Sequence, residues 1–270
     1  MTILVTGATG NVGRHLVKEL TNAGHRVRAL TRDPASAPPL DGVEFVSGDL
    51  TRPETLERAL DGATGLHLIT AGETGTLTTG PDIARLAEKA GVRRVTVLWG
   101  GERGPVEEAV QDGGLDWTLL EPTEFMSNAL AWAEAIRTEG VVREPFAETR
   151  NAMVHEGDIA RVAAAALTSP GHAGRAYVIS GPEALTVPDK IGVLSAALGR
   201  EIEYVELTEE QARERMRAAG HSEDMVDFVV GWHADPPPMG YTVTSTVEDV
   251  TGRPARSFAE WAKEHAARFA

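Results

Sequence analysis

The sequence predicts an α/β protein: a doubly wound parallel sheet followed by a smaller C-terminal α/β region. Three observations predict it. Short apolar runs alternate with amphipathic helical segments through the first half of the chain. A glycine cluster, Thr6-Gly7-Ala8-Thr9-Gly10-Asn11-Val12-Gly13, follows the first apolar run directly. The length, 270 residues, suits one large α/β body with an appendage.

The elements follow in order. Ile3-Leu4-Val5 reads as the first strand. Val12, Leu16, Val17 and Leu20 recur at helical spacing, and Gly24 closes that helix. Val27 to Leu30 and Val43 to Val46 are the second and third strands. Pro53 to Leu60 reads as a short helix, with Thr51 as its N-cap and Glu54 completing a capping box. Leu66 to Ile69 is the fourth strand, Pro81 to Ala90 a helix, and Val95 to Leu98 the fifth strand. Pro105 to Gln111 is helical, and Trp117 to Leu120 is the sixth strand. Such a βα rhythm implies parallel strands, helices on both faces and right-handed crossovers.

The second half is less regular. Asp158 to Leu167 is an Ala-rich helix whose acidic first turn suits the helix dipole. Ala176 to Ser180 is a strand, Pro188 to Leu198 a helix, and Ile202 to Leu207 an alternating strand. Thr208 to Ala219 and Ser222 to Trp232 are helical, and Asp235 to Pro238 is a rigid break. Phe258, Trp261, Ala262, His265 and Phe269 mark an amphipathic terminal helix. Met216, Met225, Phe228, Val229, Trp232 and His233 read most simply as core, with an apolar substrate wall as the alternative. Residues 1–150 are expected to bind a nucleotide. Residues 151–270 form a mixed region that returns in part to that core and carries the substrate cap, with a cleft between the halves.

Composition excludes several classes. Lys and Arg number 26 against 40 Asp and Glu, a formal charge of -14. That balance opposes binding to nucleic acid or an anionic membrane. No cysteine is present, which excludes disulfides, thiolate zinc sites, iron–sulfur clusters and a thiol nucleophile. The eight His are scattered without a metal-ligand pattern. No apolar run is long enough to cross a bilayer, and MTILVTGATG has no charged n-region or cleavage site. The expected address is the cytoplasm.

The glycine cluster carries the chemistry. Gly7 makes a tight turn, Gly10 lets backbone approach a pyrophosphate, and Gly13 lets the helix pack close to the sheet. The helix N-terminus then presents unpaired N–H groups and a positive dipole end to phosphate. Further segments recur in one pattern: Ala29-Leu30-Thr31-Arg32-Asp33-Pro34, Gly48-Asp49-Leu50, and Leu119-Leu120-Glu121-Pro122-Thr123-Glu124-Phe125-Met126-Ser127-Asn128. So do His155-Glu156-Gly157-Asp158-Ile159-Ala160, Gly181-Pro182-Glu183-Ala184-Leu185-Thr186 and Thr251-Gly252-Arg253-Pro254. With these segments the chain resembles the NmrA-like NAD(P)H-binding branch of the atypical short-chain dehydrogenase/reductase superfamily.

The resemblance implies a Rossmann-type sheet and a cofactor site at Gly7, Thr9, Gly10, Asn11, Val12 and Gly13. It implies that Asp49 and Leu50 hold the adenine, with a helix cap as the other reading of Asp49. Thr70 and Ala71 pass the ribose and pyrophosphate. Arg32 stands at the tip of the second strand, where an NAD site carries a carboxylate for the ribose 2′-OH. An Arg there suits a 2′-phosphate, so NADP(H) is favoured over NAD(H).

The superfamily's catalytic set is a Ser at the end of the fifth strand and a Tyr-x-x-x-Lys on the next helix. Here Gly100 takes the Ser position, and Pro105 to Gln111 has neither Tyr nor Lys. The tyrosines are Tyr177, Tyr204 and Tyr241, and none has a Lys at the right offset. His155 and Arg150 are the remaining catalytic candidates, each with a structural role as its alternative. Trp99, Phe125, Met126, Phe228 and Trp232 are candidates for the substrate pocket. Glu121 replaces an Arg of many relatives. The expected function is an NADPH-dependent oxidoreductase passing hydride to a quinone-like or conjugated small molecule. The alternatives are a non-catalytic redox sensor that binds a regulatory protein, or a redox-neutral enzyme of secondary metabolism such as an epimerase or cyclase.

Overall fold

The computed structural model describes every residue except Pro38, Glu73, Thr74 and Glu102. The elements run β1 (Thr2–Val5), α1 (Gly13–Asn22), β2 (Arg26–Thr31), β3 (Val43–Ser47), α2 (Glu57–Leu60) and β4 (Gly65–Ile69). A small hairpin, β5 (Ala71–Gly72) and β6 (Gly75–Thr76), precedes α3 (Gly80–Lys89), β7 (Arg94–Leu98), α4 (Pro105–Asp112) and β8 (Asp116–Pro122). Then come α5 (Ala133–Thr138), β9 (Val141–Glu144), α6 (Glu156–Thr168), β10 (Arg175–Ile179), α7 (Val187–Leu198) and β11 (Glu203–Glu206). The chain ends with α8 (Glu209–Ala218), α9 (Glu223–Ala234), α10 (Pro238–Tyr241), α11 (Thr246–Thr251) and α12 (Phe258–Phe269).

The chain divides into two compact units. One comprises Met1–Pro122, Glu156–Ile179 and Thr246–Arg253; the other comprises Thr123–His155, Ser180–Ser245 and Pro254–Ala270. Residue 150 falls inside the first segment of the second unit.

The first unit holds a seven-stranded sheet in the order β10-β8-β7-β4-β1-β2-β3. Every pairing in it is parallel. This is the doubly wound, Rossmann-type order that the βα rhythm predicts. Its strands are apolar runs because both faces are covered. Leu4, Leu66, Leu68, Val95 and Val97 pack with Leu56, Leu60, Ile83, Ala87, Val106 and Val110 of the α2–α4 side. On the other face Gly65 leaves room for Leu167 of α6. The order of strands reverses between β1 and β4, and the carboxyl ends there form the crevice where such sheets bind ligands.

The second unit has its own core. Met126, Ile136, Val142, Met153, Ile191, Leu194, Phe258, Trp261 and Phe269 are buried together. The α12 stripe read from the sequence supplies three of its largest side chains. Ser257 caps α12 by accepting from Glu260 N at 3.2 Å, and the Glu260 carboxylate accepts from Ser257 N at 2.8 Å. Thr186 and Asp189 form the same reciprocal box on α7. β9 and β11 pair in parallel.

Three readings need correction. The helix read over 53–60 begins as a 3-10 turn, Pro53–Leu56, with Arg52 at its cap and no side-chain bond there. The cap falls one residue later than Thr51, whose hydroxyl donates to Asp49 Oδ1 at 2.8 Å, and no capping box forms. Met225 and Phe228 are not core. They remain 47% and 41% exposed, while Val226 and Val230 fill the inner face of α9. Sequence patterning also missed the β5–β6 hairpin, the 3-10 segment Met126–Trp132, and α5, β9, α10 and α11. These are short elements with too few residues to establish a period.

Candidate functional site

The first unit builds a glycine cradle where β1 ends. Thr6 fixes its base: its N–H donates to His67 O at 3.0 Å, and its Oγ1 accepts from Ile69 N at 3.0 Å. Gly7 turns the chain with a φ of 58, which favours glycine. Gly10 N donates back to Gly7 O at 2.9 Å. A Cβ on Gly13 would lie 2.1 Å from that same Gly7 O, so α1 starts closer to the strand than any side chain allows. Val12 stands at the helix cap with no side-chain bond, and no acidic residue occupies the first turn. That leaves the positive end of α1 open for an anion. The residues present therefore fit a dinucleotide pyrophosphate: Gly7, Thr9, Gly10, Asn11, Val12 and Gly13 line the turn.

The other cofactor candidates end neighbouring strands of the same sheet. Arg32 follows β2, is exposed, and is close enough to Asp49 to stabilise its charge. The Asp49 carboxyl is held below its ordinary range, chiefly by hydrogen bonds from the backbone N–H and hydroxyl of Thr51 and also by Arg32. Asp49 thus organises its own loop rather than capping the helix that follows, whose cap is Arg52. Leu50 packs at the edge of the core, and its carbonyl accepts from Thr79 Oγ1 at 2.6 Å. Thr70, at the end of β4, is buried and donates to Leu98 O at 3.3 Å, while Ala71 is exposed.

The end of β7 carries Trp99 and Gly100. A Cβ at Gly100 would sit 3.0 Å from Thr70 Oγ1, so the missing Ser leaves its space beside a hydroxyl that is present. Trp99 is half-buried, and its buried indole N–H has no hydrogen-bond partner among the described residues. Glu121 in β8 stands 3.8 Å from Arg103, which balances the reversed charge at that position.

The second unit gathers a polar cluster that the sequence did not bring together. Glu124 stands two residues beyond β8. Its backbone is clamped by Val154: Val154 N donates to Glu124 O at 2.7 Å, and Met126 N donates to Val154 O at 3.0 Å. Its Oε1 accepts from Asn128 Nδ2 at 3.4 Å and faces His233 Nε2 at 3.6 Å. Its buried Oε2 has no hydrogen-bond partner among the described residues. Lys190 of α7 is 3% exposed and donates to Asn151 Oδ1 at 2.9 Å. Burial would push the Glu124 carboxyl up, but His233 and the charge of Lys190 together hold it below its ordinary value. Burial likewise works against a charged His233, yet Glu124 raises its pKa above the ordinary value. For Lys190, burial outweighs the attraction of Glu124, Glu144 and Asp189, and its pKa is lowered.

The remaining candidates fall around this cluster. Phe228 and Trp232 share α9 with His233, their ring centroids 6.3 Å apart. Phe125 bridges to Val154. Met126 is fully buried, lining a crevice with Asn151, Met153, Lys190 and Phe258 that is too narrow for a water molecule. His155 is also fully buried, its Nε2 3.1 Å from Glu264 Oε2. Arg150 donates to Ala184 O at 3.0 Å and lies 3.7 Å from Asp189. Both side chains thus have the structural partners that were weighed against catalysis. Among the described residues no group of His, Asp and Glu is arranged to hold a metal ion, and no helix is long and apolar enough to cross a membrane.

Known proteins bear on this geometry. Residues 7–105 match a family model described as NAD(P)H-binding. The chain is 38% identical to an NAD(P)H azoreductase of Xenophilus azovorans over 99% of both chains. It is 39% identical, again over 99% of both, to a (4-alkanoyl-5-oxo-2,5-dihydrofuran-3-yl)methyl phosphate reductase of Streptomyces griseus. In fold it matches the Escherichia coli NADPH-dependent quinone oxidoreductase QOR2, solved with NADPH, with a TM-score of 0.83 at 24% identity over 97% of this chain and 99% of that one. With the cradle, the strand order and these full-length relatives in agreement, the chain belongs to the NmrA-like, NAD(P)H-binding branch of the atypical short-chain dehydrogenase/reductases, as an oxidoreductase of that family.

Proposed function

We propose that this oxidoreductase uses NADPH to reduce a quinone-like, azo or otherwise conjugated small molecule without a Ser/Tyr/Lys set. The observation that carries the reading is an intact nucleotide cradle on the same sheet edge as Gly100, where the acid-donating set would begin. Bound NADPH supplies hydride. The chain's own part is to hold the cofactor and the acceptor in register. A conjugated acceptor suits that division of labour, because its two-electron product is a delocalised anion and positioning carries most of the rate. Kinship to reductases of azo compounds and of an oxo-dihydrofuran supports this substrate class.

Arg32 beyond β2 supports NADP(H) over NAD(H), because its guanidinium can bind a 2′-phosphate in a bidentate manner. The test is a panel of quinones, azo dyes and enones, each followed by loss of NADPH absorbance and by product analysis. Saturable, acceptor-dependent NADPH consumption is expected. Cofactor binding without consumption across the panel would favour a sensor.

A further inference from the structure

We propose that the first unit carries a second ligand site, for a small oxyanion of the phosphate kind, in a crevice at the amino ends of β7 and β8.

The crevice belongs to the first unit alone. Its volume is about 130 Å3. Arg94, Asp116, Thr118, Ser169 and His172 supply its polar side chains, and Ala166 and the turn 170–173 complete the wall. Arg94 begins β7 and Asp116 begins β8, and the two are neighbours across these strands. The sheet is parallel, so this edge is opposite the one that ends at the glycine cradle. One ordered water needs about 10–15 Å3 of such space, so a tetrahedral oxyanion has room.

The bonds that shape the crevice leave cationic donors over. Thr118 is buried, and its Oγ1 donates to His172 O at 2.8 Å. Gly174 N donates to Trp117 O at 2.8 Å, and Arg175 Nε donates to Gly171 O at 3.3 Å. His172 Nδ1 lies 2.8 Å from Tyr177 Oη. The turn after α6 is thus tied to β8 and β10, and His172 is held in place. Arg94 is half-buried and donates from Nη1 to Leu167 O at 3.2 Å. A guanidinium has five N–H donors, and Arg94 makes no other hydrogen bond among the described residues. Neither Arg94 nor Arg175 has a carboxylate within ion-pairing distance among the described residues.

Charge decides the kind of ligand. Two groups oppose an anion: the exposed Asp116 carboxylate and the C-terminal end of α6. The helix end is largely satisfied, because Ala164 O, Ala165 O and Leu167 O already accept from Thr168 Oγ1, Ser169 N and Arg94. Asp116 faces two cations. The balance is read at His172: burial lowers its pKa, and the charges of Arg175 and Arg94 lower it further. The crevice is therefore positive in a chain whose formal charge is -14. A guanidinium suits phosphate because its planar fork binds two oxygens at once. A bound oxyanion would also favour the charged imidazole of His172, so each would promote the other.

Histidine-ring NMR of the full-length, nucleotide-free protein tests this, with inorganic phosphate titrated against chloride at matched ionic strength. Phosphate should shift the His172 signals saturably and raise their titration midpoint, while the midpoint of His25 stays in place. Arg94→Gln should weaken phosphate binding by about ten- to a hundredfold, the usual range for one hydrogen bond to a charged group. Arg175→Gln alters an exposed side chain, should weaken binding in the same direction, and serves if Arg94→Gln does not fold. Glycerol 3-phosphate separates the sources of the oxyanion: tighter binding than phosphate assigns the site to a phosphate monoester, weaker binding to free phosphate. Phosphate that acts no more strongly than chloride, or binding unchanged in both variants, would overturn the proposal. So would phosphate that leaves the His172 signals in place and is displaced by NADPH, because it would have bound the cradle instead.

Discussion

At the residue scale the decisive side chains act through charge. Arg32 is expected to separate the two nucleotides. A hydrogen bond to a charged group contributes about 1.5–3 kcal/mol, so Arg32→Ala should weaken NADPH binding by about ten- to a hundredfold and NADH binding hardly at all. Calorimetric titration of both cofactors reads the difference, and equal weakening would remove the 2′-phosphate role. His67 is a contrasting case. It is fully buried on β4, with Nδ1 2.9 Å from Thr96 Oγ1, and burial lowers its pKa from 6.5 to about 4. The unfolded chain takes up this proton near its ordinary pKa, whereas the folded chain resists until much lower pH. The resulting stability loss sets in as pH falls below 6.5 and grows toward 4, reaching about 3 kcal/mol. Urea unfolding at pH 7 and pH 4.5 should show a smaller drop for His67→Gln than for the wild type. The place of Arg32 just beyond β2 was legible from its spacing past the glycines, which also gives the expectation of a 2′-phosphate contact. The Glu124–His233 pair was not, although both residues lie in segments the sequence singled out. Spacing along the chain says nothing about contacts across more than a hundred residues.

At the scale of elements, the β1–α1 turn shows how one glycine differs from another. Gly13→Ala would drive a methyl group to 2.1 Å from Gly7 O, a backbone atom that cannot move aside. The expected cost is about 1–3 kcal/mol of stability, as for other overpacked sites, together with loss of NADPH binding. Gly10→Ala meets Gly7 O at 3.1 Å, a contact that small shifts relieve. It should keep nearly wild-type stability and weaken NADPH alone, because its methyl group would occupy the space of the phosphate. Thermal melts with and without NADPH distinguish the two. The long amphipathic helices and the apolar strands were legible because they repeat a period several times. The Thr51 cap failed for a local reason: Pro53 takes the first helical position, which puts Arg52, not Thr51, at the cap. The outward face of α9 failed because apolar residues at helical spacing do not reveal which face meets a core.

At the scale of the molecule, legibility follows chain continuity. Most of the first unit is a single run, Met1–Pro122, so its strand order could be inferred from alternation and the crossover rule. The second unit is assembled from three separated segments. Its core joins Met126 and Ile136 to Ile191, Leu194 and the α12 aromatics, a union only the fold reveals. The glycine cradle was therefore readable from motif chemistry, while the Glu124–His233 pair required coordinates. The most direct test of the whole account is anaerobic turnover of an azo or quinone acceptor with NADPH deuterated at the transferable C4 position. The account predicts stoichiometric NADP+ and reduced acceptor, with an isotope effect on single-turnover hydride transfer. NADPH that binds tightly yet is not consumed with any conjugated acceptor would contradict it.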